Sequence, residues 1–146
     1  MDSISFAGQM VRAVLERRKI KTRRLRKFKL GHKYMRENYA LHAKFDHLKP
    51  IDIPPQSRIH YLADGLKPDW AGKTRPSIFM PEWASRTTID VIQVIQVPLI
   101  DISEEDAQDE GFDDIQSFRN FWNILNGKKH PWNSNPLIWV HSLYLI

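Results

Sequence analysis

Lys19 and Thr22 stand three residues apart in a strongly basic segment, and such a pair can carry nucleophilic chemistry. If the segment continues the helix that precedes it, residues three apart share one helical face, so the amine and the hydroxyl can meet. The charges of the neighbouring Arg and Lys side chains disfavour the ammonium form and lower the pKa of Lys19. An amine with a lowered pKa can act as the general base for a hydroxyl nucleophile. The spacing is therefore compatible with a threonine nucleophile activated by a lysine, but Lys and Thr three residues apart also occur by chance in most basic proteins, so the spacing alone leaves both interpretations open.

The other patterns that could carry chemistry fail on spacing or composition. Residues 71–74, Ala-Gly-Lys-Thr, are similar to the end of a phosphate-binding P-loop, but the position that requires the first glycine holds Lys67. No two of the six histidines have the His-x-x-x-His spacing of a metal site, and there is no Gly-x-Ser-x-Gly elbow. The chain has no cysteine, which excludes disulfides, thiolate ligands and cysteine nucleophiles. We therefore expect neither a metal nor a cofactor.

The charge of the chain is distributed unevenly. Residues 1–50 hold 14 Lys and Arg against 4 acidic residues, whereas residues 101–146 hold 3 against 8. Most of the positive charge lies in residues 17–29, and charge at this density requires a neutralising anion or acidic segment. Two interpretations stay open: a solvated face that docks near the acidic C-terminal third, or a surface that faces phosphates or nucleic acid.

Length and hydrophobic pattern predict one domain of the α+β class over residues 1–146. Strands are predicted at 3–6, 33–41, 58–63, 87–97 and 137–145, and segment 67–81, with three prolines, as irregular. Helices are predicted from Gly8 to near Arg18, from Ser103 to Gly111, and from Asp113 or Asp114 to Gly127, the last with a buried stripe that includes Leu125. Because helices and strands do not alternate regularly, we expect a mixed or closed sheet rather than repeated β-α-β units.

The chain has no run of 18 apolar residues and no secretion signal at its N-terminus. We therefore expect a cytoplasmic protein of bacterial or viral origin with no membrane partner, and we expect it to be a monomer.

Segment 15–24, Leu-Glu-Arg-Arg-Lys-Ile-Lys-Thr-Arg-Arg, resembles the Gly-Arg-Lys-Thr-x-Thr-Arg-Arg signature of ASCH-domain proteins, which are relatives of the PUA fold often found in phages and prophages. Segments 75–86, 101–111 and 133–140 resemble the phage-type subgroup in the same order. The resemblance spans nearly the whole chain and implies a small PUA-like β-barrel of mixed strands with helices packed around it. The chain departs from the signature at Arg17, where Gly is usual, and at Ile20, where the first Thr is usual.

The resemblance also implies an activity. Some small ASCH proteins are amidohydrolases that remove the acyl group of N4-acetylcytidine, using a Lys, a Thr three residues later and a Glu in a later acidic helix. Carried over by position, these residues are Lys19 as base, Thr22 as nucleophile and Glu110, which orients Lys19 or shuttles the proton. The Arg two residues after the threonine corresponds to Arg24. We therefore expect hydrolysis of a non-peptide amide bond in a small N4-acylated nucleoside.

Glu110 stands at an unfavourable place in its predicted helix. It lies at the C-terminal end, where the helix dipole disfavours a negative charge, so a buried carboxylate there needs a cation. Because the resemblance assigns Glu110 to the site, we expect Lys19 to be that cation.

Two questions stay open: which residues bind the substrate, and whether the protein is an enzyme or a module that binds RNA. A pyrimidine ring requires an aromatic or apolar wall, for which Tyr34, Trp70 and Phe79 are candidates beside Arg24. RNA is a second partner that the basic run can serve, because ASCH domains were first proposed to bind RNA. A PUA-like module that binds RNA or a nucleotide without catalysis, or a ribonuclease, therefore remains the alternative to the amidohydrolase.

Overall fold

The computed structural model describes all 146 residues and contains eight β-strands, three α-helices and six short 3-10 turns. The strands are β1 (Asp2–Ser5), β2 (Lys21–Arg24), β3 (Gly31–Arg36), β4 (Tyr39–His42), β5 (Ile59–Tyr61), β6 (Ala71–Arg75), β7 (Thr88–Pro98) and β8 (Leu137–Leu145). The helices are α1 (Gly8–Leu15), α2 (Glu104–Asp109) and α3 (Ile115–Asn126). The α+β class is confirmed, with a five-stranded and a three-stranded sheet, and neither sheet closes into a barrel. None of the three helices has the length and apolar character needed to cross a membrane.

The chain divides into two compact units. The first consists of Met1–Arg12, His32–Ile89 and Ile146, and the second of Ala13–Gly31 and Asp90–Leu145. Each unit joins segments that are distant in the sequence, so composition along the chain does not reveal the division. The assignment of residues 1–146 to one domain stays a prediction.

The first unit is built on short strands. β1 pairs in parallel with β3, and β4 lies between β5 and β6 in an antiparallel sheet. The prediction that segment 67–81 is irregular is wrong for residues 71–75, which form β6. The prolines at 68 and 76 flank this strand rather than interrupt it, so no backbone N–H of β6 is missing. The core beside this sheet consists of Tyr39, Leu41, Ile53, Met80 and Ala84.

The second unit combines β2 and β8 with α2 and α3. β2 runs antiparallel to β8, from the pair Lys21 and Ser142 to the pair Arg24 and Trp139. The core contains Leu99, Ile102, Ala107, Phe118, Trp122, Ile138 and Val140. The predicted stripe of α3 is buried at Phe118 and Trp122, but Leu125 is 58% exposed because the last turn of the helix extends past this core.

Helix α1 ends at Leu15, before the basic run, because the chain enters a left-handed turn. Arg17 has φ 61°, and its N–H donates to the carbonyl of Val14, while the N–H of Arg18 donates to the carbonyl of Ala13. These two hydrogen bonds form a Schellman motif, in which the left-handed position is usually glycine. The position where the ASCH signature has glycine is thus a position where the backbone favours glycine.

The turn after α1 changes the local structure of the predicted catalytic pair. The N–H of Lys19 donates to the carbonyl of Ala13, and the chain then enters β2, which contains Thr22. The prediction that Lys19 and Thr22 share a helical face is therefore wrong. A turn that ends the helix, rather than helical spacing, sets where the two residues lie.

Replacing Arg17 by glycine should stabilise the protein. A left-handed conformation costs a non-glycine residue about 1 kcal/mol, and glycine adopts it without that cost. We expect Arg17→Gly to raise the free energy of unfolding in urea by up to about 1 kcal/mol. Arg18→Gly is the control, since Arg18 has no positive φ, and it should lower stability. A loss of stability in Arg17→Gly equal to that in Arg18→Gly would contradict this account of the turn.

Candidate active site

A cluster of buried charges lies in the second unit, where the start of β2 meets the C-terminal end of α2. Lys19, Arg23 and Glu110 are each more than nine-tenths buried, and so is Thr22 beside them. Burying charged side chains is costly unless they are paired and hydrogen-bonded. The site is therefore defined by how these charges compensate one another.

The carboxylate of Glu110 is shared by two buried cations. Its Oε1 accepts a hydrogen bond from Lys19 Nζ at 3.0 Å, and its Oε2 accepts one from Arg23 Nη1 at 2.9 Å. The backbone N–H of Arg23 also donates to Oε1, at 3.4 Å. The expected contact between Glu110 and Lys19 is confirmed. The contribution of Arg23 was not predicted, because its side chain could be assigned to this face only once residues 21–24 were known to be a strand.

The same contacts cap the C-terminus of α2. Glu110 is the C-cap residue, and its backbone carbonyl accepts from Lys19 Nζ at 2.8 Å. The N–H of Ile20 donates to the carbonyl of Asp109 at 2.8 Å. The last carbonyls of a helix lack partners within the helix and carry partial negative charge. Lys19 therefore neutralises both the Glu110 side chain and the end of the helix dipole.

A second layer of charge lies closer to solvent. Lys21 Nζ lies 3.7 Å from Asp106 Oδ1 and 3.6 Å from Asp109 Oδ2, and Arg23 Nη2 lies 3.5 Å from Asp106 Oδ2. Asp106 also closes a capping box with Ser103, whose backbone N–H, with smaller contributions from Arg23 and Lys21, lowers the pKa of the Asp106 carboxyl. The interpretation that the basic run docks on the acidic C-terminal third is confirmed for this part of the run.

Burial lowers the pKa of Lys19. Glu110 opposes this shift by attraction and hydrogen bonding, while the charges of Arg24 and Arg23 add to it. The lowered pKa was predicted, but its main cause is desolvation rather than the crowding of like charges. The protein offers Lys19 two acceptors, both on Glu110. A neutral amine has two N–H groups to satisfy them, which leaves its lone pair available to accept a proton.

Thr22 and Arg24 share one face of β2, and Arg23 lies on the other, because side chains alternate along a strand. Arg24 Nε donates to Thr22 Oγ1 at 3.0 Å, and no protein acceptor takes the hydroxyl proton of Thr22. A cation that donates to a hydroxyl oxygen stabilises the alkoxide formed when the hydroxyl loses its proton. Arg24 is thus positioned to activate Thr22.

His141 was not among the predicted site residues, although it is fully buried opposite Thr22 in the pairing of β2 with β8. Its Nε2 accepts from the backbone N–H of Phe28 at 2.9 Å, so the ring proton is on Nδ1, which lies 3.2 Å from the carbonyl of Thr22. Burial lowers the pKa of His141 and keeps the ring neutral. A histidine in the middle of the largely apolar strand 137–145 is the sequence signal that could have indicated it.

The three aromatic residues predicted to bind substrate belong to the first unit. The Tyr34 hydroxyl accepts a hydrogen bond from Arg36, the Trp70 ring stacks on His42 with centroids 6.3 Å apart, and Phe79 is 60% exposed. Their role in binding a substrate stays a prediction.

Comparison with protein-family models, with curated proteins and with solved structures finds no match to this chain. The interpretation of the site therefore rests on its geometry and on the resemblance of its motifs.

Removing the charge of Glu110 should destabilise the protein. Glu110→Gln leaves Lys19 and Arg23 without their shared counter-charge, and breaking a buried ion pair in this way costs about 3–5 kcal/mol. We expect a loss of this size in the free energy of unfolding, measured in urea. Glu105→Gln, an exposed change on the same helix, is the matched control and should have little effect. Equal stabilities of the two variants would exclude Glu110 as the centre of the cluster.

The neutral state of His141 should make stability depend on pH. The unfolded chain binds a proton near pH 6.5, whereas the folded chain binds it only at lower pH, so acidification favours unfolding. The contribution of His141 is complete above pH 6.5 and decreases below it by up to about 1.4 kcal/mol per pH unit, until the folded ring takes up its proton. An NMR titration of the ring should give a pKa below 6.5. Titration at or above that value would show that the ring is not held neutral.

Proposed function

We propose that this protein is an amidohydrolase of the ASCH type that removes the acyl group from N4-acylated cytosine nucleosides such as N4-acetylcytidine. The observation that carries the proposal is the buried Lys19, whose pKa is lowered and whose two acceptors are both on Glu110. The cytosine substrate and the PUA-like architecture come from the resemblance of segment 15–24 to the ASCH signature.

The proposed reaction is acyl transfer through the enzyme. Thr22 Oγ attacks the acyl carbon and forms an ester, while its proton passes to Lys19. Lys19 then protonates N4 as the bond between the acyl carbon and N4 breaks, which releases the cytosine nucleoside. Water hydrolyses the ester, releases the carboxylic acid and restores the Thr22 hydroxyl. Glu110 holds Lys19 in position, and Arg24 or a backbone N–H stabilises the oxyanion.

Two features of the site support these roles. Thr22 is the only hydroxyl residue in the motif, because Ile20 replaces the usual first threonine, so the nucleophile is unambiguous. The hydroxyl proton of Thr22 and the lone pair of a neutral Lys19 are both without protein partners. A proton transfer between them requires such an open donor and acceptor, with the two atoms brought within hydrogen-bond reach directly or through one water.

Thr22→Ala should abolish the deacylation of N4-acetylcytidine, lowering turnover by at least about a hundredfold because the nucleophile is lost. Thr22→Ser keeps the hydroxyl and should retain part of the activity. Conversion to cytidine is followed by its ultraviolet absorbance. Thr88→Ala, a change in another strand, is the control and should be fully active. Turnover close to wild type in a folded Thr22→Ala protein would exclude Thr22 as the nucleophile.

RNA binding is a second candidate function, favoured by the end of the basic run. Arg26, Lys27 and Lys29 are exposed, unlike the buried Lys19 and Arg23 earlier in the run. If they bind phosphates, the affinity for RNA should fall steeply as the salt concentration rises. Replacing all three by Gln should then reduce the slope of log affinity against log salt concentration, because about three phosphate contacts are lost. Deacylation of the free nucleoside should be unaffected. A salt dependence that is unchanged in the triple variant would contradict RNA binding by this surface.

A further inference from the structure

The first unit contains an open cavity with an apolar lining. It has a volume of about 670 Å³, and its apolar wall includes Leu48, Ile51, Pro76 and Phe79. The Phe79 ring is 60% exposed, and the Ile51 side chain is 88% exposed. A cavity of this size matches the sites that hold small organic molecules, which are mostly apolar with a few polar groups.

The charged side chains that line the same cavity are all positive, and the remaining polar one, Thr74, is neutral. Lys49, Lys73 and Arg75 contribute to the cavity, and none of its lining residues is acidic. Lys73 and Arg75 both line the cavity from β6, Lys73 with an exposed side chain and Arg75 with a buried one. An anion bound here would therefore meet three cations and no opposing carboxylate.

Arg75 is a buried cation that has no acidic partner in the protein. It is 5% exposed, and its guanidinium donates only to two backbone carbonyls, from Nη1 to Leu48 at 3.1 Å and from Nη2 to Phe45 at 2.9 Å. Its Nε is buried without a hydrogen-bond partner, and no carboxylate pairs with its charge. A buried charge without a counter-charge is costly, and a bound anion would remove that cost.

We propose that this cavity binds a small organic carboxylate with an apolar body, whose head group pairs with Arg75 and Lys73 and whose body lies against Phe79. The positive lining favours an anion, and the apolar wall favours one with a hydrocarbon portion over an inorganic ion. The proposal is independent of the amidohydrolase reaction, since it uses neither Lys19, Thr22 and Glu110 nor Arg24; of the residues considered for the nucleoside substrate it uses only Phe79.

The test compares octanoate with octan-1-ol, which has the same chain without the charge. Each is titrated against the protein with 1-anilinonaphthalene-8-sulfonate, an anionic fluorescent probe with an apolar body. We expect octanoate to displace the probe at a concentration about tenfold lower than octan-1-ol does. A difference in affinity of about this size corresponds to one charge-assisted hydrogen bond. Equal displacement by both compounds, or displacement by neither, would overturn the proposal.

Variants assign the binding to this cavity. Lys73→Gln and Arg75→Gln should each reduce the preference for octanoate, and Phe79→Ala should weaken both compounds. Because Arg75 also holds two backbone carbonyls, Lys73→Gln and Phe79→Ala, at exposed side chains, decide the result if Arg75→Gln does not fold. Lys128→Gln, at an exposed lysine outside the lining, is the control and should bind as the wild type does. Unchanged binding in both Lys73→Gln and Phe79→Ala would place the ligand elsewhere and contradict the proposal.

Discussion

The second unit depends on one carboxylate that is shared by two buried cations. Glu110 accepts from Lys19 and Arg23, and the three side chains are almost completely removed from water. Burying Lys19 and Arg23 here would be costly without this carboxylate, although Asp106 adds a longer contact to Arg23, and burying the carboxylate at the end of a helix would be costly without the cations. The arrangement joins β2 to α2 by charge rather than by apolar contact.

This constraint also determines what chemistry the site can perform. The shared carboxylate partly offsets the effect of burial on Lys19, and burial prevails, so the pKa of the amine is lowered while its position is held by two hydrogen bonds. Arg23 takes up the second carboxylate oxygen and leaves Lys19 to interact with the first. A lysine that is held in position and whose pKa is lowered is suited to act as a general base once it has lost its proton.

Most of the helices and strands with a strong hydrophobic pattern could be predicted from the sequence, and so could the ion pair of Lys19 and Glu110. The local turns could not. β8 and the two helices of the acidic third follow from apolar periodicity and capping residues. The link between Lys19 and Glu110 follows from the resemblance to the ASCH signature, together with the place of an acid at the unfavourable end of a helix. An arginine gives no sign of a left-handed conformation, so the turn at Arg17 that ends α1 could not be predicted. The helix was therefore expected to continue into residues 21–24, which form β2. Arg23 was missed for the same reason, since its face is defined only once β2 is known to be a strand. His141 stands in a strand that was predicted, but its place opposite Thr22 follows only from the pairing of β2 with β8.

An NMR titration of Lys19, followed through the carbon next to its amine, tests the account most directly. We predict that the folded protein gives a pKa below the ordinary value of 10.5, because burial outweighs the attraction of Glu110. In folded Glu110→Gln protein the pKa should fall further, since the group that raises it is removed. A pKa at or above 10.5 in the wild type would contradict the claim that Lys19 is a buried amine ready to accept a proton.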